Sequence, residues 1–241
     1  MATSTLLREF IPLERERYGV YDNNIFALAL LQVSRYYDFL SILLRRYDEA
    51  SAAFRENFDA FNASMVDRPS SGRLTQDQMN LLSAQNELST LAHLEVESFY
   101  VFAKLLLDRI ALFINRYFGV IRGLELRSHD RLVKHFTAYA IAKGLTLPDS
   151  FVPHIHHLKE MISDFRDKQI AHAHNLRTIR GTGIDPENRV ILTSTTVYPK
   201  DTDSQATSRN LHELMAQLDE YLVALRLLIE SNRARTCLKL R

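Results

Sequence analysis

The chain has 241 residues, 46% of them apolar and 24% charged, which is enough to bury a sizeable core and unlike a disordered segment. Its single cysteine, Cys237, excludes an intramolecular disulfide and a thiolate metal cluster, and fits a reducing compartment. A formal net charge of +1 neither demands nor excludes nucleic acid, because a groove can be basic while the whole molecule is neutral.

Only 7 glycines and 6 prolines punctuate the chain, which favours long helices and one compact domain over residues 1–241. The N-terminus carries Arg8, Glu9, Glu14, Arg15, Glu16 and Arg17 around short apolar patches, without the apolar core of a signal peptide. Gln32 breaks the run from Ile25 to Val33 well short of the ~18 apolar residues of a membrane span. A cytoplasmic protein with no membrane partner is the expectation.

In chain order, Ile25, Leu28, Gln32, Tyr36, Phe39, Leu43 and Tyr47 alternate at three and four, which predicts an amphipathic helix over about Asn23 to Tyr47. A shorter helix over about Asp48 to Phe61 follows, then a loop over Asp67 to Arg73. Thr75 and Gln78 form a capping box, opening a helix that runs to about Phe118. One stripe of that helix carries Phe99, Phe102, Leu106, Ile110, Phe113 and Tyr117. A second carries Leu94, Val101, Leu105 and Leu112, so the helix reads as central to the core.

Gly119 and Gly123 bracket its end, and a further helix spans about Ser128 to Lys143 before Gly144. Asp149, Ser150 and Pro153 open the next, with Ile155, Leu158, Ile162 and Phe165 as its buried stripe. Gly181, Gly183 and the turn Asp185 to Asn188 lead into a Val-, Ile- and Thr-rich strand, predicting a small β-hairpin over about 178–198. A final helix carries Leu211, Met215, Leu218, Leu222, Leu225 and Ile229 on one face. The fold class is therefore all-α with a hairpin before the last helix.

The segment most capable of chemistry is Phe165 to Asn175, which gathers two histidines, an arginine, an acid and an amide within eleven residues. If the helix is unbroken, His172 lies seven residues on from Phe165, on the same face, and Arg166 lies about 100° around on its border. Arg166 and His172, with five residues between them, resemble the R-x4-6-H motif of HEPN domains, and Asp167 is the usual polar residue after the arginine. The wording Arg-Asp-Lys-x-Ile-Ala-His is similar to that of HEPN proteins of phage-defence and toxin-antitoxin systems. The resemblance covers mainly Asp149 to Asn175 and, loosely, the helix around Asp108; the N-terminal third is not matched.

The resemblance implies an up-and-down helical bundle, with a HEPN-like core over about 75–232 and extra N-terminal helices. It implies a homodimeric, metal-independent endoribonuclease in which the ribose 2′-hydroxyl attacks the adjacent phosphate, with no cofactor. His172 would move the proton, since imidazole titrates near neutral pH. Arg166 would hold the scissile phosphate with its permanently charged, planar fork. An antitoxin or other regulatory protein is a further expected partner beside the RNA substrate.

Five other positions stand around that pair. Asp108 is either a buried acid paired to Arg166 or a partly exposed one bonded to another cation. Asp167 either orients a catalytic group or faces water. Lys168, His174 and Asn175 are candidates for contacting RNA, the alternative being a solvated helix end.

Competing chemistry is weaker. His154, His156 and His157 read as the solvated side of their helix, since neighbouring positions splay by about 100° and no Cys or HExxH pattern accompanies them, so no metal is expected. Arg35-Tyr36-Tyr37, Arg45-Arg46-Tyr47 and Arg116-Tyr117-Phe118 read as core anchors beside solvated charges. The basic tail with Arg233, Arg235, Lys239 and Arg241 reads as a frayed terminus. The alternative function is a non-catalytic helical protein that binds a partner protein or RNA.

Overall fold

A computed structural model describes residues 2–66, 73–164, 178–184, 190–196 and 211–241. The described residues are mostly helical: α1 (Ala2–Arg15), α2 (Val20–Val66), α3 (Gln76–Phe118), α4 (His129–Lys143), α5 (Phe151–Leu158) and α6 (Leu211–Ser231). Between α5 and α6, strands β1 (Thr178–Ile184) and β2 (Val190–Thr196) pair antiparallel, with Thr178 opposite Thr196 and Ile184 opposite Val190.

Where sequence reading expects two helices over residues 23–61, α2 is continuous for 47 residues. No glycine or proline falls between Gly19 and Pro69, so nothing in the backbone ends the helix earlier. Its core-facing stripe also differs from the expected one. Phe26, Leu30, Val33, Tyr37 and Leu40 are buried, whereas Leu28 and Gln32 of the expected stripe are exposed and Ile25, Tyr36, Phe39, Leu43 and Tyr47 are half-buried. Both stripes are apolar, and periodicity alone does not choose between faces one residue apart. By length and composition α2 is also apolar enough to cross a bilayer, contrary to expectation, with 39% of its most apolar window buried.

The Thr75 box forms as read: the Gln78 N–H donates to Thr75 Oγ1 at 3.3 Å, and the Thr75 N–H donates to Gln78 Oε1 at 3.0 Å. Of the expected first stripe of α3, Phe99, Leu106, Ile110, Phe113 and Tyr117 are buried and Phe102 is half-buried. The second stripe is not buried: Leu94 and Val101 are 56% and 39% exposed, and Leu105, Asp108 and Leu112 are half-buried. Asp108 therefore stands on the partly solvated side of α3.

Ser128 caps α4 by accepting from the Arg131 N–H, and α4 ends in a left-handed Gly144 (φ 63°). There the Leu145 N–H reaches the Ala140 carbonyl at 2.9 Å and the Gly144 N–H reaches the Ile141 carbonyl at 3.0 Å, a Schellman closure that a side chain at φ > 0 would strain. Asn232, just past α6, clasps Thr146 with two bonds of 2.7 Å and so holds the α4–α5 connection.

The described packing groups into two compact units. The first comprises Met1–Ile42, Phe99–Ala171 and His212–Arg241; the second comprises Leu43–Ser98 and His172–Leu211. The first unit buries Leu30, Val33, Leu106, Ile110, Phe136, Ile155 and, of the expected α6 stripe, Met215, Leu218, Leu222, Leu225 and Ile229, all at or near zero exposure apart from Met215. In the second, Ala50, Phe54 and Ala92 are buried, Phe54 stacks on Phe58, and buried Glu95 meets Arg46 at 2.6 Å.

The C-terminal segment is not frayed. Tyr18 pairs with Leu240 as an antiparallel bridge, flanked by Gly19 N–H to Lys239 C=O at 3.0 Å and Arg241 N–H to Arg17 C=O at 2.9 Å. Arg233 adds an ion pair to Glu14 at 2.8 Å. Backbone pairing and a buried carboxylate thus fix a stretch whose composition reads as a loose basic tail.

Candidate functional site

Residues 165–177, and with them Arg166, Asp167, Lys168, His172, His174 and Asn175, lie outside the described residues. What is described is the approach to them and the one supporting position, Asp108.

The approach is made by α5. Phe151, Ile155 and Leu158 are buried at helical spacing, and Ile162 continues the stripe as expected. The helix does not continue with α-helical bonding, however: Lys159–Asp164 is a π-helix, the last described stretch before residue 165. Widened turns of this kind are uncommon and recur at functional sites. His156 and His157 are exposed as read, while His154 is half-buried, with its ring 6.5 Å from that of Tyr221.

Asp108 acquires two partners within the first unit. Lys104, one turn earlier on α3, places Nζ 3.2 Å from Asp108 Oδ1, and the backbone N–H of His129 donates to the same oxygen at 2.8 Å. The carboxylate thus meets an orphan amide at the start of α4, where the helix dipole also favours a negative charge. Of the two readings of Asp108, the described contacts are those of a partly exposed acid bonded to a different cation.

Lys104 is nearly fully buried and also bonds Asp130 Oδ2 at 2.9 Å, while Lys159 approaches Asp130 Oδ1 at 3.8 Å. Burial alone would raise the Asp130 pKa; the hydrogen bond and charge of Lys104, helped by Lys159, outweigh it and hold the carboxyl below its ordinary value. The network links α3, the first turn of α4 and the π-helix that precedes the motif.

His129 is a site residue that sequence reading misses. It shares a fully buried stripe with Leu132, Phe136, Tyr139 and Ala140, a three-and-four spacing that could have placed it inside. Burial, then the charge of Lys104, pushes its pKa down to about 3, so the imidazole is neutral at physiological pH. Neither ring nitrogen has a hydrogen-bond partner among the described residues, and the same holds for the hydroxyl of fully buried Tyr221. The Tyr221 ring meets His129 edge to face, with centroids 6.3 Å apart. Such an imidazole is a packing element with spare polar capacity; at zero exposure it does not meet a polymer substrate directly.

Among the described residues, no group of three or more His, Cys, Asp or Glu side chains converges to hold a metal ion. Compared with protein-family models, with curated proteins and with solved structures, the chain matches none of them.

Proposed function

We propose that the chain is a metal-independent endoribonuclease of the HEPN type, built on a HEPN-like bundle and working as a cytoplasmic homodimer. The observation that carries this reading is the Arg166/His172 pair and its setting, directly after the π-helical end of α5 and before the long α6. In this reaction His172 takes the proton from a ribose 2′-hydroxyl, and the 2′-oxygen attacks the adjacent phosphorus. The bond to the 5′-oxygen breaks, and the histidine of the second copy returns a proton to that leaving oxygen. Arg166 neutralises the charge that grows on the non-bridging oxygens. The wording of the motif suits a toxin or phage-defence component whose activity an antitoxin or regulatory protein would restrain.

Asp167 would orient the pair, and Lys168, His174 and Asn175 would contact the RNA. The hairpin β1–β2 would be an insertion on the helical scaffold, available to select substrate. End analysis of the products tests the chemistry: 2′,3′-cyclic phosphate and 5′-hydroxyl ends are expected, and 3′-hydroxyl with 5′-phosphate ends would refute it.

One observation favours the non-catalytic reading. The acid expected to support Arg166, Asp108, bonds Lys104 and the amide of His129. A helical protein that binds a partner protein or RNA without cleaving it would tolerate that engagement.

A further inference from the structure

The C-terminal segment draws the ends of several helices of the first unit together. The Cys237 N–H and the Thr236 hydroxyl both donate to the carbonyl of Tyr117, near the end of α3. A Cβ placed on Gly119 would stand 3.2 Å from both Cys237 Cβ and Lys143 Nζ, and one on Gly144 would stand 3.7 Å from the Arg235 guanidinium. Gly19, at the start of α2, bonds Lys239. The start of α2, the ends of α3 and α4 and the segment 232–241 therefore share one end of this unit.

That end presents two kinds of side chain in excess. Val20, Tyr21, Val120, Ile141 and Leu240 each keep between 56% and 78% of their surface free. Arg116, Arg122, Lys143, Arg235, Lys239 and Arg241 surround them, and among the described residues none of these six side chains has an ion-pair or hydrogen-bond partner. Against them stand Glu16, Asp22 and Glu125. Cations near helix C-termini are favoured by the helix dipole, which accounts for Arg116 and Lys143 in the last turns of α3 and α4. It does not account for the projecting aliphatic side chains, nor for the cations of the tail.

We propose that this end of the first unit is a docking surface for an anionic phospholipid bilayer. Apolar side chains that project with most of their surface free do not line a pocket for a partner's side chain, but they suit insertion between lipid headgroups. Unpaired lysines and arginines beside them gain from the negative surface potential of such a membrane. A second copy of the chain would bring six cations against six. A polyanion such as RNA would engage the cations and leave the aliphatic groups in water. The proposal draws on no motif residue, so it stands whether or not the nuclease reading does.

The test is flotation of the full chain with vesicles of phosphatidylcholine alone and of phosphatidylcholine mixed with phosphatidylserine, at low and high salt. Binding to the anionic vesicles that weakens as salt rises is expected. Arg235→Gln with Lys239→Gln should weaken it roughly 30-fold, at about 1 kcal/mol per cation near an anionic surface. Val120→Ser with Ile141→Ser should weaken it by roughly tenfold. All four side chains are at the surface, and an unchanged thermal melt would show that the variants are folded. Absence of binding to anionic vesicles, or equal binding by the folded variants, overturns the proposal. So does capture of single-stranded RNA through these cations with no vesicle binding, which would assign the surface to nucleic acid.

Discussion

The backbone N–H of His129 donates to the carboxylate of Asp108 at 2.8 Å, joining the start of α4 to the middle of α3. This bond lets the first turn of α4 bury an imidazole while its own orphan amide is satisfied from a neighbouring helix. Asp108→Ala should destabilise the fold by about 1–2 kcal/mol in urea unfolding, the usual cost of losing a cap together with a charged partner. Asp108→Asn keeps the acceptor and should lose less than half of that. If Asp108 also supports the motif arginine, the Asn variant will lose RNA cleavage at nearly unchanged stability; equal losses of stability in both variants would remove the capping role.

Glu14 is 1% exposed and receives Arg233 at 2.8 Å, Arg17 at 2.9 Å and the Tyr18 hydroxyl at 2.9 Å. Glu14→Ala leaves the two guanidinium groups without their carboxylate and Tyr18 with only the Tyr117 hydroxyl, and should cost about 3 kcal/mol, as breaking a buried pair does. Arg8, exposed and paired to Asp38 at 3.1 Å, is the contrast, and Arg8→Ala should cost no more than about 0.5 kcal/mol. Denaturant midpoints of the two variants decide the matter, and comparable losses would contradict the buried assignment of Glu14.

Stability should fall in acid because of His129. Burial depresses its folded-state pKa from the ordinary 6.5 to about 3, so protons bind the unfolded chain more tightly. The contribution of the neutral imidazole is complete above about pH 6.5 and is lost as pH falls toward about 3. At pH 5 the loss from this group is about 2 kcal/mol. In His129→Phe the drop between pH 7 and 5 should shrink by that amount, and an unchanged drop in urea unfolding would show that the imidazole takes up a proton in the fold as readily as in the unfolded chain.

Tyr221 presents the opposite case, a fully buried hydroxyl with no partner among the described residues. Burial raises its pKa, so it stays protonated at neutral pH. Tyr221→Phe removes an unsatisfied polar atom and keeps the ring on His129 and Phe151, so thermal unfolding should shift little or slightly upward, by up to about 1 kcal/mol. A loss of more than about 1 kcal/mol would reveal a partner for that hydroxyl.

The helices were legible where an apolar stripe kept helical period, as Leu211 to Ile229 in α6, or where a cap left a signature, as at Thr75 and Gly144. The face of α2 was not, because its two apolar stripes lie one residue apart and only tertiary packing selects the Phe26 to Leu40 side. The second stripe of α3 misled for the same reason and put Asp108 on a buried face that it does not occupy. The tail read as loose because its pairing with Tyr18 and Glu14 spans more than two hundred residues. His129 is hidden by its place at the first position of α4, where a polar side chain ordinarily faces water or caps the helix. The π-helical turn before the motif has no composition signal at all, since Lys159 to Asp164 would serve equally well in an α-helix.

The most direct measurement is RNA cleavage by the purified chain in excess EDTA, with Arg166→Ala and His172→Ala alongside. The account predicts cleavage that survives chelation, falls at least about a hundredfold in the histidine variant, and falls by a similar factor in the arginine variant. Cleavage that stops on chelation, or that proceeds unchanged in both variants, would contradict it.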